Sequence, residues 1–415
     1  MTETILTNAR IICPNQEING TVVLEDGKII DILSHNIPDG TDLQGAFLIP
    51  GVIDIHSDYL ERELSPRPTA KIPLELALHV MDMRALSSGL TTVSTAARIA
   101  HERENRLERD GRAEREPARG GTRQDGLKLA KRFEELATQM RVHHLIHIRW
   151  NTNFEPEDHV FEEMLELKTI ANLVFNDDAP GQRQFRDIEA LIQQQATRRN
   201  ISIEEARKAM EERMAQTGRM SNRMSVRERL GGSIPIGSHD DTTVEHVLEA
   251  FESGATLSEM PCTIEAARKA KELGMMVCMG APNYYRGGSH CGNLGCHDAM
   301  AENLVDIICS DYHFPSMLAS MVRMVEEGLS LSAATNLFTL NPARHLRIDG
   351  RTGSIEIGKQ ADLVAFHYHN GFGDVSRVWV DGEQRIFAFM DRERPTHSEV
   401  PESVQLEEAA VLANR

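Results

Sequence analysis

His56 and Asp58 stand one residue apart in Gly51-Val-Ile-Asp-Ile-His-Ser-Asp58, at the end of an apolar run with strand character. On a strand, residues i and i+2 leave the same face, so an imidazole and a carboxylate converge there. That pair begins a nitrogen–oxygen ligand set suited to zinc, manganese or iron. Comparable residues recur at the ends of later apolar runs. His147, Arg149 and Asn151 alternate along one, and Asn176-Asp177-Asp178 closes another. Gly237-Ser-His239-Asp-Asp241, Gly280-Ala-Pro-Asn283 and Ser310-Asp311 follow in turn. His56, Asp58, Asp178, His239 and Asp311 together would hold one or two divalent metal ions. Such an ion brings the pKa of water close to neutrality. Asp311 is then placed to take the proton, with His239 as a second catalytic group. Taken singly, each residue also fits a helix cap or a loop hydrogen bond. Recurrence at one strand end after another is what favours a metal.

A second group is cationic: Arg67, Lys71, Arg149, Arg183, Arg186 and Arg286. Several lie in turn-like contexts, Ser65-Pro-Arg67-Pro, Pro180-Gly-Gln-Arg183 and Tyr285-Arg286-Gly-Gly-Ser289-His290. Guanidinium forks beside Gly-rich backbone suit bidentate phosphate contacts. The formal charge of −18 argues against nucleic acid or an anionic membrane as partner, so these cations form a local exception suited to a small anionic, phosphorylated substrate. Arg67, Arg149, Arg183 and Arg286 are the expected substrate contacts, with Asn283 and His290 from the adjoining loop. His290-Cys291-Gly-Asn-Leu-Gly-Cys296-His297 carries four metal-capable residues, but its cysteine spacing is wide for zinc. It reads as a Gly-rich loop with incidental cysteines. Cys262, Cys278 and Cys309 lie in apolar strand contexts and read as core.

These side chains need a scaffold, and the pattern along the chain supplies one. Residues 3–49 alternate in strand fashion, with Asp26-Gly27 as a hairpin turn. From 51 to 345, short apolar runs at 52–55, 91–94, 144–148, 173–175, 234–237, 257–259, 275–279 and 307–310 alternate with helical stretches. Eight such units predict an α/β fold, a (β/α)8 TIM-like barrel whose functional residues sit at the C-terminal strand ends. The β pattern returns at 354–357, 362–367, 377–380 and 384–386, with Asp381-Gly382 as a turn. A small β-sheet domain from residues 1–50 and 346–390 is therefore expected beside a barrel over 51–345. Residues 391–415 form an acidic tail, 101–126 a charged loop and 185–230 a helical insert. With 40% apolar and 26% charged residues among 415, the chain has the composition of a soluble globular protein. No run approaches a membrane span and the first residues carry no leader pattern. Six scattered cysteines point to a reducing, cytoplasmic setting. A homodimer is the expected assembly for such a barrel.

With these residues assembled, the chain resembles the amidohydrolase superfamily over nearly its whole length, through Pro50-Gly51-Val-Ile-Asp54-Ile-His56 and Gly353-Ser-Ile-Glu-Ile-Gly358-Lys-Gln-Ala-Asp362-Leu-Val. Within it, the chain is most similar to the alpha-D-ribose 1-methylphosphonate 5-triphosphate diphosphatases of the carbon–phosphorus lyase pathway. The residues carrying this are His56-Ser-Asp58, Ser65-Pro-Arg67-Pro68, Ser88-Gly89-Leu-Thr-Thr-Val93, Pro180-Gly-Gln-Arg-Gln-Phe185, Ser238-His-Asp-Asp241, Met279-Gly-Ala-Pro-Asn283, Arg286-Gly-Gly-Ser-His290 and Ser310-Asp-Tyr312. The resemblance implies a metal-dependent hydrolase of phosphonate metabolism. It would release diphosphate from the sugar triphosphate and leave a 5-phosphate, with the arginines facing the phosphates. The chain departs from that family twice. Arg149-Trp150-Asn151 stands where an Arg-x-Glu pattern is usual, and Asp177-Asp178 stands where Asp-His is usual. An amide is a weak ligand, so one metal on His56, Asp58, His239 and Asp311 is expected to suffice. Added oxygen ligands shift the preference toward manganese or magnesium. The departures keep two rivals in view, a divergent hydrolase of C–N bonds (a deaminase or cyclic amide hydrolase) and a non-catalytic paralogue. The retained anion-binding blocks put phosphate chemistry first.

Overall fold

The computed structural model describes residues 3–67, 70–98, 126–152, 158–177, 188–199, 201–214, 219–289 and 292–388. The chain opens with β1 (Glu3–Cys13), β2 (Gln16–Glu25), β3 (Lys28–Leu33), β4 (Thr41–Asp42) and β5 (Phe47–Pro50). Next come β6 (Val52–Ser57), β7 (Leu90–Arg98), β8 (His143–Asn151), β9 (Ile170–Asn176), β10 (Ile236–His239), β11 (Leu257–Glu259), β12 (Met276–Gly280) and β13 (Ile307–Cys309). The last are β14 (Leu363–His369), β15 (Phe372–Val380) and β16 (Glu383–Phe387). Strands β6 to β13 form one sheet in chain order, each parallel to the next. A bridge between Ser57 and Asp311 brings β13 back toward β6, giving the expected, nearly closed α/β barrel.

All eight predicted runs are strands, some longer than their apolar cores: 91–94 grows to Leu90–Arg98 and 144–148 to His143–Asn151. The added residues include Arg98, Arg149 and Asn151, whose polarity hides them from an apolar pattern. Every residue of β6 is buried, as expected of a parallel strand covered on both faces. Ile53, Ile55, Leu257, Cys278, Ile307 and Cys309 pack within the barrel, together with Ala343 and Leu346. The start of β8 is pinned from the helix Leu74–Ser87. There the buried Asp82 carboxylate accepts from the Arg141 and Val142 N–H groups and contacts His144 Nε2 at 3.1 Å.

The other sheet joins both ends of the chain, in the order β16-β15-β14-β5-β1-β2-β3, with β4 pairing β1. Its period-two alternation serves two cores. Phe47, Ile49, Val364, Phe366, Val378 and Val380 join the large core that includes barrel residues. Leu48, Leu363, Ala365 and Trp379, the alternate residues, join a core private to this sheet. The two Asp-Gly turns meet back to back. Asp26 and Gly27 have φ of 48° and 80°, and Asp381 and Gly382 have 53° and 77°, the left-handed pair that a tight hairpin demands. A Cβ on Gly382 would lie 2.6 Å from Gly27 Cα, so neither glycine can be replaced without parting the turns.

One predicted strand is absent. Residues 354–357 form a turn and coil segment, in which Lys359 Nζ pairs with Glu356 at 2.7 Å and Ile29 N–H donates to Lys359 O. The alternation there reflects a buckle folded onto β3. The predicted helical insert appears as helices Ile188–Arg199, Ile203–Met214 and Arg219–Leu230. The charged segment before Gly126 and the acidic tail 391–415 lie outside the described residues.

Candidate active site

The C-terminal ends of β6, β8, β10 and β11 and the residue pair after β13 bring their polar side chains to one place. Fully buried Glu259, the last residue of β11, lies at its centre. Its Oε2 is 3.0 Å from His56 Nδ1, 3.7 Å from His147 Nε2 and 3.9 Å from His239 Nε2. Each imidazole is held from behind. His147 Nδ1 lies 3.1 Å from the Ile55 carbonyl, and His239 Nδ1 lies 2.7 Å from Asp240 Oδ2, which aims the opposite nitrogens at Glu259. Burial pushes the His147 pKa down to about 3, so that ring is neutral and keeps a free lone pair. Burial works against the charge on Glu259, yet the neighbouring His56 ring holds its pKa well below the usual carboxylate range.

A second face of the cluster belongs to Asp58 and Asp311. One ligand atom each from His56, Asp58 and Asp311 lie within 4.8 Å of one another, as do those of His56, His239 and Glu259. His56 is common to both groups. Arg149 reaches into the first of them: its Nη2 is 2.6 Å from His56 Nε2 and 3.2 Å from Asp58 Oδ2. Burial alone would raise the Asp58 pKa, but this guanidinium holds it far below the ordinary value. Asp311, half-buried beside Asp58, is shifted upward, chiefly by its removal from water.

Backbone strain marks the same strand ends. Asp240, Met260 and Asp311 adopt φ of 59°, 52° and 54°, a region that disfavours side chains. Beneath them Asp54 fastens the first strand to the last. It accepts from Ser310 N–H at 2.9 Å and Ser310 Oγ at 2.5 Å, and from His56 N–H at 3.3 Å. Asp58 N–H donates to Asp311 O at 2.6 Å, and Asp311 N–H to His56 O at 3.1 Å.

Of the residues expected from sequence, the structure gathers His56, Asp58, Arg149, His239 and Asp311. Asp58 Oδ2 lies 3.7 Å from His56 Nε2, with the Arg149 guanidinium in contact with both, and His239 joins His56 through the group that includes Glu259. Arg286 lies at the rim, where its Nη1 donates to the hydroxyl of Tyr312, the residue after Asp311. Asn283 is spent on structure, donating to Leu294 O and accepting from Cys296 N–H. Arg67 is exposed and bridges to Ala70; nothing among the described residues ties it to the cluster. Asp178, Arg183, Arg186 and His290 lie outside the described residues. His297 stacks on Tyr284 at 4.2 Å, and Cys262, Cys278, Cys296 and Cys309 are buried free thiols. Two contributors were not anticipated. Glu259 ends a run recognised as a strand, and the strand-end rule applied there would have found it. Arg62 donates to Tyr312 O at 2.8 Å, but its setting between Glu61 and Glu63 reads as an ordinary solvated helix face.

A model of the amidohydrolase family (Amidohydro_1) matches residues 47–395. The chain belongs to the amidohydrolase family. It is a metal-dependent hydrolase, and its nearly closed barrel beside a two-ended sheet is the architecture its structural neighbours share. The alpha-D-ribose 1-methylphosphonate 5-triphosphate diphosphatase of Escherichia coli (strain K12) is 31% identical over 394 residues, covering 92% of this chain and 100% of that protein. An imidazolonepropionase of Symbiobacterium thermophilum is 25% identical over 216 residues, 48% of this chain and 46% of that one. The crystal structure of N-acetylglucosamine-6-phosphate deacetylase from Pasteurella multocida superposes with a TM-score of 0.58 at 14% identity, over 92% of this chain and 100% of that one, a likeness of fold. The centre of this amidohydrolase fits the divalent ion such a hydrolase uses. His147 Nε2 is buried without a hydrogen-bond partner among the described residues and lies 3.7 Å from the fully buried Glu259 carboxylate, and a buried lone pair aimed at a buried carboxylate calls for a cation.

Proposed function

We propose that this amidohydrolase cleaves alpha-D-ribose 1-methylphosphonate 5-triphosphate to diphosphate and the 5-phosphate. The observation that carries the reading is 31% identity running the full length of the Escherichia coli diphosphatase of that name. The cations at the site support it: Arg149 inside the cluster, and Arg62 and Arg286 on either side of Tyr312.

A divalent ion held at the Glu259 carboxylate, with His147 Nε2 and His239 Nε2 facing it, would suit zinc, manganese or iron and would supply Lewis acidity toward a phosphoryl oxygen and a more acidic water. Asp311 receives the proton of the attacking water at a carboxylate oxygen. The water oxygen bonds to the α-phosphorus, the bond from that phosphorus to the bridging oxygen breaks, and diphosphate leaves with the bridge. Arg149, Arg62, Arg286 and, from its sequence context, Arg183 offset the charge building on the phosphates. Among the described residues no helix is long and apolar enough to cross a membrane and five cysteines are free thiols, which supports a reducing, cytoplasmic setting.

Phosphorus NMR of the triphosphate incubated with metal-loaded protein tests the reaction. Equal amounts of diphosphate and sugar 5-phosphate are expected, and Arg286→Ala should raise KM by about tenfold, as loss of one charge-assisted phosphate contact implies. Untouched triphosphate together with turnover of a cyclic amide would replace this reading with C–N hydrolysis.

A further inference from the structure

We propose that Arg149 is a built-in cation filling the second of two metal positions, so that this chain binds one divalent ion, on the Glu259 side of His56. The proposal rests on the metal-dependent reading above and specifies the makeup of its centre.

His56 lies at the junction of two ligand groups, His56–His239–Glu259 and His56–Asp58–Asp311. The groups differ in what faces them. The first holds a fully buried carboxylate met by imidazoles alone, the nearest being His56 Nδ1 at 3.0 Å from Oε2. The second already has a cation, since Arg149 Nη2 contacts His56 Nε2 at 2.6 Å and Asp58 Oδ2 at 3.2 Å. A guanidinium carries only donors and does not lose its charge in a protein. The nitrogen lone pair and the carboxylate oxygen that a second ion would take are therefore engaged. An ion placed at bonding distance from those two atoms, about 2.1 Å from each, would sit inside the guanidinium's own contact radius and repel it. The two cations are mutually exclusive.

Charge balance points the same way. One divalent ion and one guanidinium together neutralise the three carboxylates of the two groups, Asp58, Glu259 and Asp311. Two divalent ions with Arg149 nearby would overshoot. Strand β8 offers no replacement ligand, because the residue two beyond Arg149 is Asn151, an amide in place of a bridging carboxylate. Asp58 thus anchors Arg149 rather than a metal, and Arg149 holds its charge at a fixed point where a phosphate can meet it.

Metal content after equilibration with excess Mn2+ and desalting tests this directly. The wild-type protein should retain about one equivalent, with the EPR signal of isolated ions. Arg149→Gln should retain about two and show an exchange-coupled pair, while Arg149→Lys should stay at one. Asp58→Asn should keep the ion and Glu259→Gln should lose it. Two equivalents in the wild-type protein would overturn the proposal whether or not any variant folds. So would one equivalent in an Arg149→Gln protein with wild-type circular dichroism, or equal metal loss in Asp58→Asn and Glu259→Gln. One equivalent without diphosphate release would sink the proposed reaction and leave this stoichiometry standing. No metal in any form would overturn both.

Discussion

A carboxylate taken out of water costs several kcal/mol unless a cation meets it. Glu259 is fully buried among three imidazoles, of which only His56 comes within 3.0 Å of its carboxylate. That imbalance is what a bound ion would resolve, so the metal should stabilise the fold as well as serve the chemistry. Glu259→Gln keeps the shape and removes the charge. It should drop retained metal below about a tenth of an equivalent and kcat by about two orders of magnitude or more, since a ligand contributes at least as much as the outer contacts that orient it; elemental analysis beside a rate assay checks this. A chelator should lower the melting temperature of the wild-type protein and leave that of Glu259→Gln almost unchanged. His56, Asp58, His239 and Asp311 were legible as strand-end site residues because their side chains are conspicuous after apolar runs. The role of Arg149 was not, because spacing does not reveal that its guanidinium lands on the two residues read as the first ligands.

At the scale of elements, the barrel exists to hold strand ends in register, and Asp54 ties its first strand to its last. Its carboxylate receives both Ser310 groups and the His56 N–H, and the backbones of Asp58 and Asp311 pair directly above. Asp54→Ala would strand buried donors, so a loss of about 3 kcal/mol or more is expected from urea unfolding, with weaker metal retention as the ends drift apart. Ser310→Ala should cost less, because the Ser310 N–H contact survives. The eight strands were legible because each is a buried apolar run between helical stretches. The extent of β7 and β8 was not, since both continue through polar residues held by their neighbours. Residues 354–357 misled for the opposite reason: an alternating sequence there satisfies a buckle whose partners, Ile29 and Lys359 among them, are set by tertiary contact.

Across the whole molecule, the sheet built from both chain ends is clasped to the barrel at His143. This first residue of β8 lies 3.8 Å from Asp362 and 3.5 Å from Asp381, on either side of β14 and β15. Burial opposes protonation of His143, and the two carboxylates override it, lifting its pKa to about 9. The folded state therefore binds this proton more tightly than the unfolded chain, whose histidine titrates at about 6.5. The clasp's contribution is complete below that pH and is lost as pH rises through about 9. Melting temperature measured from pH 6 to 10 should fall over that window, and His143→Asn should flatten the fall. The two Asp-Gly turns and the split β pattern made the two-ended sheet legible, whereas this clasp joins residues more than two hundred positions apart that no local pattern connects. The most direct test of the whole account is hydrolysis of alpha-D-ribose 1-methylphosphonate 5-triphosphate in heavy-oxygen water, read by the isotope shift in phosphorus NMR. Label in the sugar 5-phosphate and none in the diphosphate is the predicted result, since the proposed reaction has water attack the α-phosphorus. Label in diphosphate, or intact triphosphate after incubation with metal-loaded protein, would contradict it.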